Sequence, residues 1–251
     1  MLEVSNLNKS FCGIAAISDV SLSFPASSLT AIIGPNGAGK STFFNLVSGG
    51  LRPDSGSVRL NGTDLVGRSR SDIINAGIGR AFQVAQIFPS LTVEESLLGA
   101  ITAHRKRSQD IQRRFPLPEM QDRMHEVAEM LGLADKLGVV ASSLSHGDQK
   151  LLDIALALIL DPKVLLLDEP TAGMGPDERW RMIERVHELW ERKKITLVFI
   201  EHDMDIVFKI APRICVLSYG RLLAEGTPAE IRDNPAVIEA YLGTSHEDAV
   251  A

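Results

Sequence analysis

The sequence predicts an α/β fold in which an antiparallel β region leads into the core and a helical lobe interrupts it. Three observations carry this expectation. The stretch Gly34-Pro35-Asn36-Gly37-Ala38-Gly39-Lys40-Ser41 lies between an apolar run, Leu29–Ile33, and a helix-like segment, Ser41–Ser48. A second apolar run, Val164–Leu167, ends in Asp168-Glu169. Between the two, residues 92–141 lack strand-like alternation and show helical spacing instead.

Taken in chain order, Leu2–Val4 and Ser18–Phe24 are strand-like pieces separated by turn residues. Leu29–Ile33 reads as a short buried strand delivering the chain to Gly34. Gly56–Leu60 followed by Asn61-Gly62 reads as a strand entering a tight hairpin turn. Thr92-Val93-Glu94-Glu95 fits a capping box, in which hydroxyl and carboxylate satisfy the free amides of a helix start. Met120, Met124, Val127, Met130 and Leu131 share one helical face. Val164–Leu167 then reads as a buried parallel strand, Pro176 to about Lys193 as a helix, and Ile195–Ile200 as a strand. Proline suits a first helical position, where its missing N–H would have no partner anyway. Thr227-Pro228-Ala229-Glu230 opens another capped helix, and the chain is expected to fray from Ser245.

The expected organisation is one domain over 1–243, with 1–90 and 155–243 as core, 91–154 as helical lobe and 244–251 as a tail. The basic run His104-Arg105-Lys106-Arg107 with Arg113-Arg114 reads as a solvated loop, or as a contact with a membrane partner or lipid headgroups.

Composition narrows the function. With 45% hydrophobic and 23% charged residues, the chain is ordinary for a globular protein with ample core. The net charge of −6 gives no electrostatic case for nucleic acid as a partner. Cys12 and Cys215 are isolated, without metal-ligand spacing, which points to a reducing compartment. Met1–Leu7 shows no basic segment leading into a long apolar one, so no secretory signal is expected. The most apolar run, Ile154–Leu160, is far shorter than the ~20 residues that span a bilayer. Any membrane role therefore calls for a separate membrane-embedded partner, with this chain on the cytosolic side.

The chemistry concentrates in four stretches. Gly34–Ser41 fits the phosphate-loop pattern G-x-x-x-x-G-K-(S/T), whose backbone amides wrap a nucleotide's phosphates. Glycines let the backbone curl close to the anion, and the following helix N-terminus adds a favourable dipole. Lys40 supplies a point charge to the outer phosphates, and Ser41 a hydroxyl to Mg²⁺. Asp168 ends an apolar strand, at the carboxyl edge where ligands bind in open α/β folds, and is expected to hold Mg²⁺ through water. Glu169 is the candidate base for the attacking water. Ser145, three residues before Asp148 and just ahead of the apolar run Leu151–Leu160, reads as a helix cap and, beside Gly147, as an anion site.

The order of these motifs resembles the ATPase subunits of ABC transporters: phosphate loop Gly34–Ser41, then Gln83, then Leu144-Ser145-His146-Gly147, then Val164–Glu169, then His202. The resemblance runs from about Leu2 to Gly243 and implies a single ABC ATP-binding domain with a P-loop ATPase core that binds ATP and Mg²⁺. It further implies that Gly34, Pro35, Asn36, Gly37, Ala38, Gly39, Lys40, Ser41 and Thr42 hold phosphates and that Phe11 stacks on adenine. By the same resemblance Gln83 touches Mg²⁺ or water, His202 contacts the γ-phosphate, and Ser145 with Gly147 grips the ATP of a second subunit in a head-to-tail dimer.

The chain departs from the commonest pattern L-S-G-G-Q in carrying His146 and Asp148, and its Ala172-Gly173-Met174-Gly175 lacks the family's usual aspartate, with Asp177 nearby. The segments Leu144–Gly147, Ile200–Met204 and Ala240–Gly243 look like branched-chain amino-acid importers. That resemblance implies a dimer with itself or a paralogous ATPase, two membrane permeases, an extracytoplasmic binding protein, and a peripheral place on the inner membrane. Urea or amide import, lipopolysaccharide export, and a soluble non-transport ABC ATPase stand as alternatives.

Overall fold

The computed structural model describes residues 1–104 and 116–247, and side chains to residue 241. The basic residues Arg105, Lys106, Arg107, Arg113 and Arg114 lie outside the described residues.

The elements run β1 (Leu2–Phe11), β2 (Ile14–Phe24), β3 (Leu29–Ile33), α1 (Lys40–Val47), β4 (Ser55–Leu60), β5 (Thr63–Asp64), α2 (Arg70–Ala76) and β6 (Ile78–Ala81). They continue through α3 (Val93–His104), α4 (Pro118–Met130), α5 (His146–Leu158), β7 (Val164–Asp168), α6 (Pro176–Lys193) and β8 (Thr196–Ile200). The chain closes with α7 (Met204–Ile210), β9 (Arg213–Ser218), β10 (Arg221–Gly226), α8 (Pro228–Arg232) and α9 (Pro235–Glu247). α9 thus reaches into the stretch expected to fray.

Two compact units form, residues 1–76 with 194–251, and residues 77–193. In the first, β2-β1-β4-β5 make an antiparallel sheet. Its two hairpin turns place consecutive residues at positive φ, Cys12 with Gly13 and Asn61 with Gly62, as two-residue turns matched to strand twist require. β1 and β2 are far longer than the sequence pieces suggest. Register shifts between Val4 and Leu7 and between Leu7 and Lys9 break the inside–outside alternation from which strands are read. At the bulge, Asn6 has φ 47° and its side-chain amide donates to Asp19 Oδ1 at 2.8 Å.

The same unit holds β3, five buried residues paired in parallel with β8 on one side and β9 on the other. β10 pairs antiparallel with β9. A strand covered on both flanks and both faces has no room for polar alternation, which is why Leu29–Ile33 reads as a continuous apolar run.

The second unit pairs β6 with β7 in parallel and packs α3, α4 and α6 about α5, most of which is buried. It takes in more than the segment 91–154 expected as a lobe, because β6, β7 and α6 all pack on α5. The Thr92 capping box forms: Glu95 N–H donates to Thr92 Oγ1 at 3.1 Å, and Thr92 N–H donates back to Glu95 Oε2 at 2.8 Å. Met120, Met124, Val127 and Leu131 are buried on the expected face of α4, with Met130 at its half-buried margin. The Thr227–Glu230 box caps α8 in the first unit.

Among the described residues no helix is long and apolar enough to cross a membrane. The two cysteines are unpaired thiols in contrasting settings. Cys12 is exposed in the β1–β2 turn, whereas burial in β9 pushes the Cys215 thiol up to about 12. A neutral-pH thiol reagent is therefore expected to modify Cys12 alone in the native protein and both thiols after denaturation. Mass spectrometry of the labelled chain checks this, and native labelling of Cys215 would contradict its burial.

Candidate functional site

In the first unit, β3 feeds directly into the phosphate loop. A Cβ at Gly34 would lie 2.1 Å from the Leu217 carbonyl oxygen, so only glycine lets this loop pass under β9. Gly39 has φ 98°, and a Cβ there would lie 2.5 Å from the Ala16 carbonyl oxygen on β2. Gly37, at φ 76°, faces open space. Gly220 N–H donates to Ala38 O at 3.1 Å, fastening the loop to the β9–β10 turn.

Gly39 is the N-cap of α1 and offers no side-chain acceptor to the helix start. The first-turn amides, with the partial positive charge of the helix end, make a site for an anion. Lys40 is buried, and its ammonium donates to the carbonyls of Gly34 at 2.6 Å and Pro35 at 2.9 Å, inside the loop it serves. Phe43 and Phe44 anchor α1 in the core, while Ser41 is exposed and Thr42 half-buried at its start. A left-handed loop over open space, an uncapped helix start and a buried ammonium fit the phosphates of a nucleotide.

His202 follows β8. Since Ile32 of β3 pairs with Ile200 of β8, it emerges at the same sheet edge as Gly34. It is exposed, and Asp203 beside it caps α7 by accepting from the N–H groups of Asp205 and Ile206. Phe11 ends β1 and is 43% exposed, so it is a surface aromatic and not part of the core. The Lys9 ammonium lies 5.5 Å from its ring centroid.

In the second unit, Ala81 pairs with Leu167, which sets Gln83 opposite Glu169 just beyond the strand ends. The Gln83 amide donates to Glu169 Oε2 at 2.7 Å. Glu169 has φ 46°, a left-handed conformation costing an ordinary residue about 1–2 kcal/mol. Such strain at a strand end persists only where the surrounding contacts hold it.

Asp168 is buried and accepts from Arg80 Nη2 at 2.7 Å through Oδ2. Its Oδ1 is buried with no hydrogen-bond partner. An unsatisfied carboxylate oxygen fits a hydrated divalent cation. Among the described residues no three His, Cys, Asp or Glu side chains gather to hold an ion by themselves. Sequence reading missed Arg80, which has no motif around it; only its ion pair with Asp168 reveals it.

Ser145 and Gly147 stand apart from the Gln83–Glu169 pair, at the start of α5. Ser145 is the N-cap: its Oγ accepts from Asp148 N–H at 3.2 Å and donates to Asp148 Oδ2 at 2.7 Å. Burial alone would raise the Asp148 carboxyl, but hydrogen bonds from Lys136 and Ser145, with the Arg185 charge nearby, hold it below the usual range. Gly147 is buried against Glu178, whose Oε1 lies 2.2 Å from where a Cβ would stand. Ser145, Gly147, Lys136, Glu178, Arg181 and Arg185 line a polar cavity of about 260 Å³. The two departures from the common pattern meet here, with the His146 ring packed over Gly173.

A strand–loop–helix with an uncapped, glycine-lined start and a buried lysine defines a phosphate-loop nucleotide-binding protein. The ABC transporter family profile matches residues 17–172. A second profile, described as branched-chain amino acid ATP-binding cassette transporter, matches residues 221–247. The chain is 38% identical to the high-affinity branched-chain amino acid transport ATP-binding protein LivG of Salmonella typhimurium, over 97% of this chain and 98% of that protein. It is 36% identical to BraF of Pseudomonas aeruginosa, of the same description, over 97% and 98%. A crystal structure of the ADP conformation of an ATP-binding cassette of an ABC transporter superposes with a TM-score of 0.84 at 33% identity, covering 97% of this chain and 98% of that one. The chain belongs to the ABC transporter family, as an ATP-binding cassette.

The two loop glycines separate crowding from backbone conformation. Gly34→Ala is expected to destabilise the protein by at least about 2 kcal/mol and to abolish ATP binding, because a backbone carbonyl cannot move aside. Gly37→Ala meets nothing and should cost only about 1 kcal/mol, the left-handed backbone term. Urea denaturation and ATP-binding calorimetry on both variants check the order.

Proposed function

We propose that this chain is the ATP-hydrolysing subunit of an ABC importer for branched-chain amino acids. The observation that carries the reading is similarity along nearly the whole length to branched-chain amino acid transport ATP-binding proteins, with every catalytic position filled.

In this reading the amides of residues 37–42 receive the phosphates, Lys40 neutralises the outer ones, and Phe11 stacks on the base. Ser41 and Asp168 hold Mg²⁺, Gln83 touches it or its water, and the ion when bound offsets charge on the phosphate oxygens. Glu169 takes the proton of the attacking water, with Gln83 orienting its carboxylate, and His202 donates toward the γ-phosphate. Ser145 and Gly147 of α5 serve the ATP of a second subunit, itself or a paralogue, in a head-to-tail dimer.

A surface in the second unit supports a membrane-embedded partner. Val84 is 73% and Phe88 51% exposed. Leu91 and Val140 are exposed beside one another, where Ala141 N–H donates to Leu91 O at 2.8 Å. Exposed apolar side chains grouped in one unit support a docking role. The partners are two permeases, with an extracytoplasmic binding protein beyond them, and the chain sits peripherally on the cytoplasmic face of the plasma membrane.

Glu169→Gln is expected to cut ATP turnover by about 10²–10⁴-fold while leaving ATP binding intact, the range for losing a general base. Normal turnover in that variant would overturn the role given to Glu169. For the cargo, proteoliposomes carrying the whole transporter should take up leucine in an ATP-dependent way that this substitution stops. Uptake of urea and not leucine would replace the cargo while leaving the ATPase reading in place.

A further inference from the structure

Two charged residues lie deep in α5, where apolar packing would be expected. Lys150 is 2% exposed and Asp153 3%. The Lys150 ammonium donates to three carbonyl oxygens: Phe82 at 2.5 Å, Gln83 at 2.8 Å and Asp168 at 3.2 Å. One turn further on, the Asp153 carboxylate accepts from the N–H of Phe82 at 2.8 Å and of Gln86 at 3.1 Å. The peptide units on both sides of Phe82 are therefore gripped by opposite charges from one helix.

Beyond these grips the segment is held by few contacts, the Gln86 side-chain amide donating to Val84 O at 3.2 Å and the Arg80 guanidinium lying 4.8 Å from the Phe82 ring centroid. Residues 82–88 belong to no helix or strand, and Phe82, Gln83 and Val84 are exposed, so core packing does not set their positions. Lys150 also holds the carbonyl of Asp168, the peptide that leads into Glu169 and its left-handed backbone. One buried ammonium thus fixes the main chain of both Gln83 and Glu169, whose side chains hydrogen-bond to each other. A buried charge is costly unless every donor is satisfied, and here the partners are the two strand-end loops of the site. The helix that supplies the grip is capped five residues earlier by Ser145.

We propose that Lys150 and Asp153 are positioning residues for the Gln83–Glu169 pair, tying the catalytic carboxylate and its glutamine to α5 so that a movement of this helix is felt at both. The proposal rests on the roles given above to Gln83 and Glu169.

The test is ATP turnover and ATP-binding calorimetry on the full chain with Mg²⁺. Lys150→Met should lower kcat at least about tenfold with ATP affinity within about twofold, and Lys150→Arg, which keeps charge and donors, should recover most of the rate. In a Gln83→Ala background the same Lys150→Met change should cost clearly less than in the wild-type chain, since the share of the grip that acts through Gln83 is already lost and residues acting through one pair are not additive. Wild-type kcat in Lys150→Met overturns the proposal, as does an equal loss in both backgrounds, which a merely structural lysine would give.

If Lys150→Met does not fold, Asp153→Asn carries the test through hydrogen exchange at the Phe82 and Gln86 amides together with kcat. Faster exchange with kcat lowered at least about fivefold supports the proposal, and unchanged kcat overturns it. Full turnover in both Glu169→Gln and Gln83→Ala overturns the reading of the pair, and the proposal with it. Full turnover in the α5 variants alone overturns only the proposal.

Discussion

A phosphate loop works only if several backbone amides converge on a point where the protein itself places no acceptor, and that requirement governs the architecture around Gly34–Thr42. The convergence comes from crowding on the far side of the loop. Gly34 passes under the Leu217 carbonyl and Gly39 under that of Ala16, both too close for any side chain. The backbone that crowds it comes from β9 and from β2, elements separated from the loop by most of the chain and by β3 respectively. β3 must be central between β8 and β9 for this to hold, and its five buried residues follow from that position. The unfilled side of the loop is then left to a ligand.

The second unit solves a different problem, which is how to hold carboxylates at the ends of strands without a helix or ladder to fix them. Here the answer is buried charge. Asp168 pairs with Arg80, Lys150 with three carbonyls, and Asp153 with two amides. In a low-dielectric interior such groups tolerate few alternative arrangements, because any one that breaks a contact leaves a polar group unsatisfied. Burial pushes the Asp153 carboxyl upward against the pull of the Phe82 and Gln86 amides, which shows how closely solvation and hydrogen bonding are opposed there. The strained backbone of Glu169 persists in this setting for the same reason.

α5 links two kinds of chemistry through one piece of regular structure. Its first turn carries Ser145 and Gly147 beside a cavity with Lys136, Arg181 and Arg185, and its second turn carries the charges that hold Gln83 and Glu169. A helix is stiff over such a short distance, so its two turns move together. As a cap Ser145 Oγ uses a lone pair, accepting from the Asp148 N–H, while its single proton goes to Asp148 Oδ2 and would turn from that carboxylate to a bound anion without breaking the cap. The two readings of that serine, cap and anion contact, are therefore compatible.

What the sequence determined by itself was a set of features governed by contacts a few residues apart. The phosphate loop and its flanks, the capping boxes at Thr92 and Thr227, the Asn61-Gly62 turn, Pro176 at a helix start and the apolar face of α4 all follow from local spacing, and all formed. The long reach of β1 and β2 was hidden, because bulges interrupt the alternation by which strands are read. Arg80, Lys150 and Asp153 were hidden for a deeper reason. Each is a single charged residue whose partners lie 88, 67 and 71 positions away at Asp168, Gln83 and Phe82. No spacing rule records a pairing at that range. Only the packing of α5 on β6 and β7 decides which buried charge meets which strand end, because that packing alone removes the water that would otherwise satisfy them.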